Sequence, residues 1–515
     1  MKYLLGLDLG TTGAKALLIN VDGKVMSQGY HEYSCVYPKP AWVEQDVDWV
    51  VAKSMESAKD ALEESGIDPG DILAVSLSSQ RCCTILVDDK GRLIRPMISW
   101  QDNRNLEELE ILRKEISDQQ FYQISGLPLN TTWVIGKLLW LRRNEPESIK
   151  RTAKFVQLHA YVLKSWGTDE YLDDVSDAGF YGFWDTNKMD WYTDFLDLIG
   201  ISREKLPKIG QSGTMIGKVG PEAARKTGLL EGTPICIGAG DQNSAAVGAG
   251  VVVPGSANIS LGTGGAAVAY SDIPFRDPNG KTMVTHHPIP GKWMIEGYQA
   301  GAASVYRWFR DEITSLEKAF AQHSTRDVYR LLDDMVEKIP PGSKGLILLP
   351  YFAGAAAPRW NPEARGTLIG LTFGHDRSCL VRAFMEGITL EVRDMIQSIR
   401  STGIQLNDIR ILGGPTKSRV WNQIQSDVYG CTVKTLKQTD AAAVGAAIFA
   451  GIGAGVFGNI VEGCRQIVKI DESYSPIPEN VPIYDQSYDI FCRSYQALTE
   501  SNVFSSVAEF QSQHG

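Results

Sequence analysis

Tyr3-Leu4-Leu5-Gly6-Leu7-Asp8-Leu9-Gly10-Thr11-Thr12-Gly13-Ala14-Lys15-Ala16 opens the chain with an apolar run, a turn and a second apolar run. Lys2 to Leu9 and Ala14 to Asn20 read as two strands joined by Gly10-Thr11-Thr12-Gly13. Val21-Asp22-Gly23-Lys24 turns the chain into a third strand, so the start is an antiparallel meander. The same pattern returns as Leu261-Gly262-Thr263-Gly264-Gly265-Ala266-Ala267-Val268, which matches Leu9 to Ala16 at five of eight positions, 252 residues later. A strand-turn-strand at the start of each half implies two similarly built domains. Val252-Val253-Pro254-Gly255 is the expected junction, because Pro and Gly interrupt a long uncharged segment there.

The 515 residues suit about two to four domains. Apolar residues make up 43% and charged residues 22%, ordinary globular usage that excludes disorder as the main state. A formal charge of −10 supplies no global basic surface for nucleic acid, so a phosphate-bearing ligand must be gripped locally. Eight cysteines without C-x-x-C spacing are too sparse for a disulfide framework and point to a reducing cytoplasm. Asp8 ends the opening apolar run too early for a signal peptide core. Ala441 to Val461 runs 21 residues without a charge, but its Ala and Gly content suits a tightly packed internal helix better than a membrane span.

Val47, Val51, Met55, Ala58 and Leu62 share one helix face behind a capping Asp46. Strands are expected near Ile72 to Ser78 and Cys82 to Val87, then a helical pattern from Asp102 to Arg143. Pro234 to Gly238 is an apolar strand leading into Asp241 at a helix start. In the second half, Asp376 precedes a long helix stopped near Gly403, followed by strand Ile409 to Leu412, a Gly413-Gly414 turn and a helix opening near Ser418. The last ~45 residues read as closing helices or a tail.

Familiar nucleotide signatures fail. Phe275 stands where a P-loop ending in Gly280-Lys281-Thr282 needs its first glycine, and Gly453, Gly455 and Gly458 follow a helical pattern rather than a strand. His286-His287 cannot share one face and read as ordinary surface or loop residues. What remains is glycine turns at strand ends, whose exposed N–H groups can accept phosphate. Thr11, Thr12 and Thr263 add hydroxyls. Asp8 has only Ser260 as its counterpart in the second copy; a carboxylate beside a phosphate turn calls for Mg²⁺, so Asp8 is the candidate metal ligand, with a turn-capping Asp as the alternative. Asp241, behind Gly238-Ala239-Gly240, is either a helix cap or a group that a ligand approaches over the glycines.

In order along the chain stand Gly6-Leu7-Asp8-Leu9-Gly10-Thr11-Thr12, Trp42-Val43-Glu44-Gln45-Asp46, Ser79-Gln80-Arg81, Ile98-Ser99-Trp100-Gln101-Asp102-Asn103-Arg104 and Gly240-Asp241-Gln242. Leu261-Gly262-Thr263-Gly264, Pro362-Glu363-Ala364-Arg365-Gly366, Glu386-Gly387-Ile388 and Leu412-Gly413-Gly414-Pro415-Thr416-Lys417-Ser418 continue the series. Their ordered sum resembles the FGGY carbohydrate kinases, which include xylulose, ribulose, gluconate and glycerol kinases. The resemblance implies an α/β, two-domain actin-like ATPase (ribonuclease H-like) fold, each domain a mixed five-stranded sheet with helices, and an active site in the interdomain cleft. It divides the chain into 1–250, with sugar binding, base and first phosphate turn; 251–470, with the second phosphate turn and adenosine; and closing residues 471–515.

By the same likeness Asp241 is the general base on the acceptor hydroxyl and Asp8 serves Mg²⁺ and phosphate. Thr11, Thr12, Lys15, Gly262 and Thr263 would hold ATP phosphates, and Gly413, Gly414 and Ser418 would flank adenosine. Gln80, Arg81, Trp100, Asp241 and Gln242 would line the sugar pocket. Arg81, Asp241-Gln242 and Trp100-Gln101-Asp102 lean toward the glycerol kinase type, whereas His287 to Trp293 and Tyr474 to Asp485 lean toward the sugar kinase branch. Pro415 removes an N–H donor from the adenosine turn. The expectation is a cytoplasmic, homodimeric, ATP- and Mg²⁺-dependent kinase of a small sugar, a ketopentose such as xylulose first and glycerol or another polyol second, without nucleic acid or membrane partners. A non-catalytic ATP-binding sensor or filament protein of the same architecture is the alternative of another class.

Overall fold

Strand Tyr3–Leu9 is buried along nearly its whole length, as a strand covered on both faces must be. In the computed structural model, which describes residues 1–514, it pairs antiparallel with Gly13–Asn20 and parallel with Ile72–Ser79. Val25–Glu32 extends the meander; Pro234–Gly240 lies parallel to Ile72–Ser79, and Met215–Lys218 closes the far edge antiparallel. The chain forms two compact units, Met1–Val252 with Tyr270–Met294 and Asp440–Val468, and Val253–Ala269 with Ile295–Thr439 and Lys469–Gly515.

The second unit repeats the strand plan. Ser256–Leu261 pairs antiparallel with Gly265–Ser271 and parallel with Asp408–Leu412. Trp293–Gln299 follows Gly265–Ser271 in the sheet, Val433–Leu436 runs parallel to Asp408–Leu412, and Ile470–Tyr474 is the antiparallel edge. Each sheet thus holds three meander strands, two parallel strands and an antiparallel edge strand outside the expected five, and Met283–His286 adds a seventh strand to the second sheet.

The uncharged stretch is helix Ala441–Gly453, and its small residues permit backbone contact within the first unit. A Cβ on Gly6 would lie 2.1 Å from the Ala443 carbonyl, and one on Gly445 2.0 Å from that of Ser244. Helix Ala441–Gly453 therefore rests directly on strand Tyr3–Leu9 and on helix Asp241–Gly248. By its contacts the stretch groups with the first unit, whose sheet its small face fits. Residues 471–515 likewise begin as part of edge strand Ile470–Tyr474 before helices Val481–Glu500 and Val503–His514. Among the described residues no helix is long and apolar enough to cross a membrane.

Two local expectations are corrected. The helical pattern from Asp102 to Arg143 divides into Leu106–Glu115, Asp118–Ser125 and Val134–Asn144. Ser117 and Gln120 form a reciprocal cap, and Gly126 turns the chain out at φ 75°. His286 ends strand Met283–His286 and His287 follows it in the connection, both buried rather than at the surface; the Nε2 of His287 lies 3.0 Å from the Val251 carbonyl, and burial holds both imidazoles down at about 4. Gly453 ends its helix and Gly455 follows at φ 72°, so the glycine motif there is a terminator.

Candidate active site

The first hairpin is held from behind by its carbonyls. Tyr33 Oη–H donates to Gly10 O at 2.6 Å, Gln45 Nε2 to Thr11 O at 2.8 Å, and the Tyr33 amide to Thr12 O at 3.1 Å. Gly10 N–H is spent on Gly13 O at 3.0 Å. The Thr11 and Thr12 amides have no partner among the described residues, which leaves two adjacent donors at the end of the sheet. Such a concavity accepts an anion.

The second hairpin is held in the same way within its own unit. Ala303 N–H donates to Gly262 O and Ala302 N–H to Thr263 O, each at 2.9 Å, and Ser304 Oγ adds a bond to Thr263 O at 2.6 Å. The Thr263 amide has no partner among the described residues. Gly264 is required by space, since a Cβ would lie 2.7 Å from Gln299 O.

Charged side chains flank the first hairpin. Asp8 and Lys15 are direct cross-strand partners, so their side chains share a face. Asp8 accepts Ser78 Oγ–H at 3.0 Å, while Lys15 Nζ pairs with Asp440 at 2.5 Å rather than standing free. Burial first, then the negative charges of Asp241 and Asp440, push the Asp8 carboxyl up to about 7 against the pull of Ser78 and Lys15. A carboxylate so placed favours a cation. Mg²⁺ commonly takes one or two carboxylates, with substrate phosphates and water completing its shell. Asp8 fits that donor set, and among the described residues no three His, Cys, Asp or Glu side chains could hold a metal without such help.

Asp241 is the first residue of helix Asp241–Gly248, where strand Pro234–Gly240 ends, and keeps 31% of its side chain exposed. Arg81 Nε sits 3.0 Å from its Oδ1, Arg81 Nη1 donates to Asn243 Oδ1 at 3.3 Å, and the guanidinium lies 3.9 Å from the Phe180 ring centroid. Ion pair and cation–π contact together fix the arginine in one pose. Gln80 Nε2 donates to Gln45 Oε1 at 2.8 Å, which relays to Thr11; Trp100 Nε1 donates to Thr11 Oγ1 at 3.0 Å. The Gln80 and Gln242 side-chain carbonyls are buried without a partner among the described residues. Two orphaned acceptors near one carboxylate suit a ligand bearing several hydroxyls.

The expected sugar-side residues and Asp8 thus gather at the ends of neighbouring strands in the first unit. In the second, Gly413 sits at φ 95° and its absent Cβ would lie 2.3 Å from Leu261 O. Ser418 is not free for a ligand: its Oγ donates to Asp333 Oδ1 at 2.7 Å and accepts the Trp421 N–H at 3.1 Å as a helix cap. The strand expected from Cys82 starts later, at Ile85, because Cys82 is at φ 62° in a turn. Asp440, Asn243 and Phe180 were not singled out from sequence. Gln45 lies within Trp42-Val43-Glu44-Gln45-Asp46, beside the helix-capping Asp46, and that position is its signal in the sequence.

The model of the FGGY family of carbohydrate kinases, N-terminal domain, matches residues 3–248, and that of the C-terminal domain matches 257–454. An autoinducer-2 kinase of Salmonella paratyphi B is 30% identical, over 96% of this chain and 94% of that one. The chain belongs to the FGGY family of carbohydrate kinases. As an FGGY kinase it is a phosphotransferase. A xylulose kinase of Bacillus subtilis strain 168 is 29% identical over 98% of both chains. The ligand-bound xylulose kinase of Lactobacillus acidophilus superposes with a TM-score of 0.89 at 26% identity, over 97% of this FGGY kinase and 99% of that chain.

Proposed function

We propose that this FGGY kinase transfers the γ-phosphoryl group of ATP to a hydroxyl of a ketopentose such as xylulose. The observation that carries the reading is Asp241, partly exposed at a helix start, with Arg81 3.0 Å from its carboxylate and the orphaned Gln80 and Gln242 carbonyls nearby. Asp241 orients the acceptor hydroxyl and takes its proton. Gln80, Arg81, Trp100 and Gln242 bind the remaining hydroxyls, the two glutamines through acceptors that are otherwise unpaired. Thr11, Thr12, Gly262 and Thr263 offer turn donors to the phosphates, and Lys15, paired with Asp440, sets the local charge. Asp8 would hold Mg²⁺, which when bound neutralises phosphate charge. Gly413 and Gly414 flank adenosine; Ser418 shapes that turn as a cap. Phosphoryl transfer needs positioning and charge neutralisation more than covalent help, and these residues supply both. A cytoplasmic homodimer belongs to the same proposal.

The test is ADP production across pentuloses, hexuloses, aldonates, glycerol and other polyols, with autoinducer-2 included because relatives at 30% identity are named for it. Xylulose is expected to give the highest kcat/KM, and turnover confined to glycerol would replace it. Asp241→Asn should lower kcat by about 10²- to 10⁴-fold with an unchanged melting temperature. Full activity in that variant would remove Asp241 as the base. Absence of acceptor-stimulated ADP across the panel would favour the sensor reading.

A further inference from the structure

Lys137, on helix Val134–Asn144, is fully buried and forms no ion pair among the described residues. A buried ammonium without a counter-ion is unfavourable, and burial pulls this one down to about 8. What it gains is two backbone carbonyls: Nζ donates to Cys82 O at 3.0 Å and to Thr132 O at 2.9 Å. Loss of a proton leaves two N–H donors for those two acceptors, so the arrangement survives in either state.

Cys82 is the residue that needs such a grip. Its φ of 62° is left-handed, a conformation strained for a non-glycine residue. Its N–H donates to Gln157 Oε1 at 2.5 Å, and Gln157 is fixed in turn through Nε2 on Asp177 O at 3.0 Å. Lys137 takes the carbonyl on the other side. The residue just before this doubly held position is Arg81, whose guanidinium meets Asp241 and Phe180.

We propose that Lys137 is a positioning residue for acceptor binding: its bond to Cys82 O, anchored by the one to Thr132 O, holds Cys82 left-handed and thereby aims Arg81 at Asp241. The inference rests on the acceptor-pocket reading above. Lys137→Met keeps an unbranched apolar side chain one atom shorter and removes the donors. With xylulose, or the panel member that turns over if xylulose does not, the acceptor KM should rise about tenfold while the KM for ATP stays within about twofold. Lys137→Met/Cys82→Gly should bring the acceptor KM back to within about threefold of the parent, because glycine takes positive φ without a clamp.

Equal rises in both Michaelis constants, or a double variant no better than the single one, would overturn the proposal. If Lys137→Met is insoluble, a soluble double variant supports the clamp and an insoluble one sinks it. Arg81→Ala separates the two levels of argument. An unchanged acceptor KM there removes Arg81 from the pocket, whereas a raised value beside a normal Lys137→Met removes only the role of Lys137.

Discussion

Gly10–Gly13 and Gly262–Gly264 turn the chain at the same place in two sheets of the same strand order, yet their registers differ. Leu9 faces Ala14 in the first hairpin, whereas Leu261 faces Gly265 in the second, so the second turn is one residue shorter. Both present unpaired threonine amides over carbonyls bound from behind. Only the first carries charge on its strands. Asp8 opposite Lys15 becomes Ser260 opposite Ala266. The common part is backbone, which can cradle a phosphate whatever the side chains; the difference is where a cation and a proton acceptor can be held. A duplicated frame needs only one chemically equipped copy.

The largest effect that would break this comparison is at its charged position. Asp8→Asn should lower kcat by about 10²- to 10³-fold, the scale for removing one fixed electrostatic group, while Ser260→Ala should stay within about twofold. Comparable losses would mean that the hairpins are chemically equivalent. The same variant has a pH signature. A carboxyl raised to about 7 contributes its stability fully below its unfolded pKa near 3.8 and loses it as pH rises through 7. Asp8→Asn escapes that loss, so its stability relative to the parent should climb between pH 4 and pH 8 by roughly 2 kcal/mol, allowing for partial solvent contact. A gap independent of pH, measured by thermal melts, would show that burial does not hold this carboxyl up.

The repeat and the capped helices were legible in sequence because their signals are local: a glycine turn between apolar runs, Asp46 before a helix face, Ser418 before Trp421. The register of the hairpins was not, since eight aligned letters carry no information on which residues pair across the turn. Asp440 was hidden for another reason. It lies 425 positions from Lys15, and only the small-residue helix behind it brings it to the first sheet. Lys137 carries no signal in the sequence, because its partners are main-chain carbonyls, which have no sequence signature.

The threonine hydroxyls sharpen the comparison with a smaller effect. Thr11 Oγ1 accepts Trp100 Nε1–H at 3.0 Å, so Thr11→Val should raise the acceptor KM as well as the KM for ATP, each by several-fold, about 1 kcal/mol for a lost hydrogen bond. Thr263→Val should raise only the KM for ATP. A Thr11 variant with normal acceptor kinetics would uncouple the first hairpin from the pocket.

Ser418 should give the smallest kinetic effect, because its hydroxyl is already committed to Asp333 and to the Trp421 amide. Ser418→Ala should leave the KM for ATP within about twofold and cost about 1 kcal/mol of stability as a lost helix cap. That cost should depend on pH. Burial raises the Asp333 carboxyl to about 6, and the Ser418 hydroxyl holds it lower than burial alone would. A raised carboxyl weakens the fold as pH climbs through its folded value, so removing the hydroxyl extends the loss upward. The variant should therefore fall further behind the parent at pH 7.5 than at pH 5. A gap that is constant with pH would leave the cap as the serine's whole contribution, and a large rise in the KM for ATP would return its hydroxyl to the nucleotide.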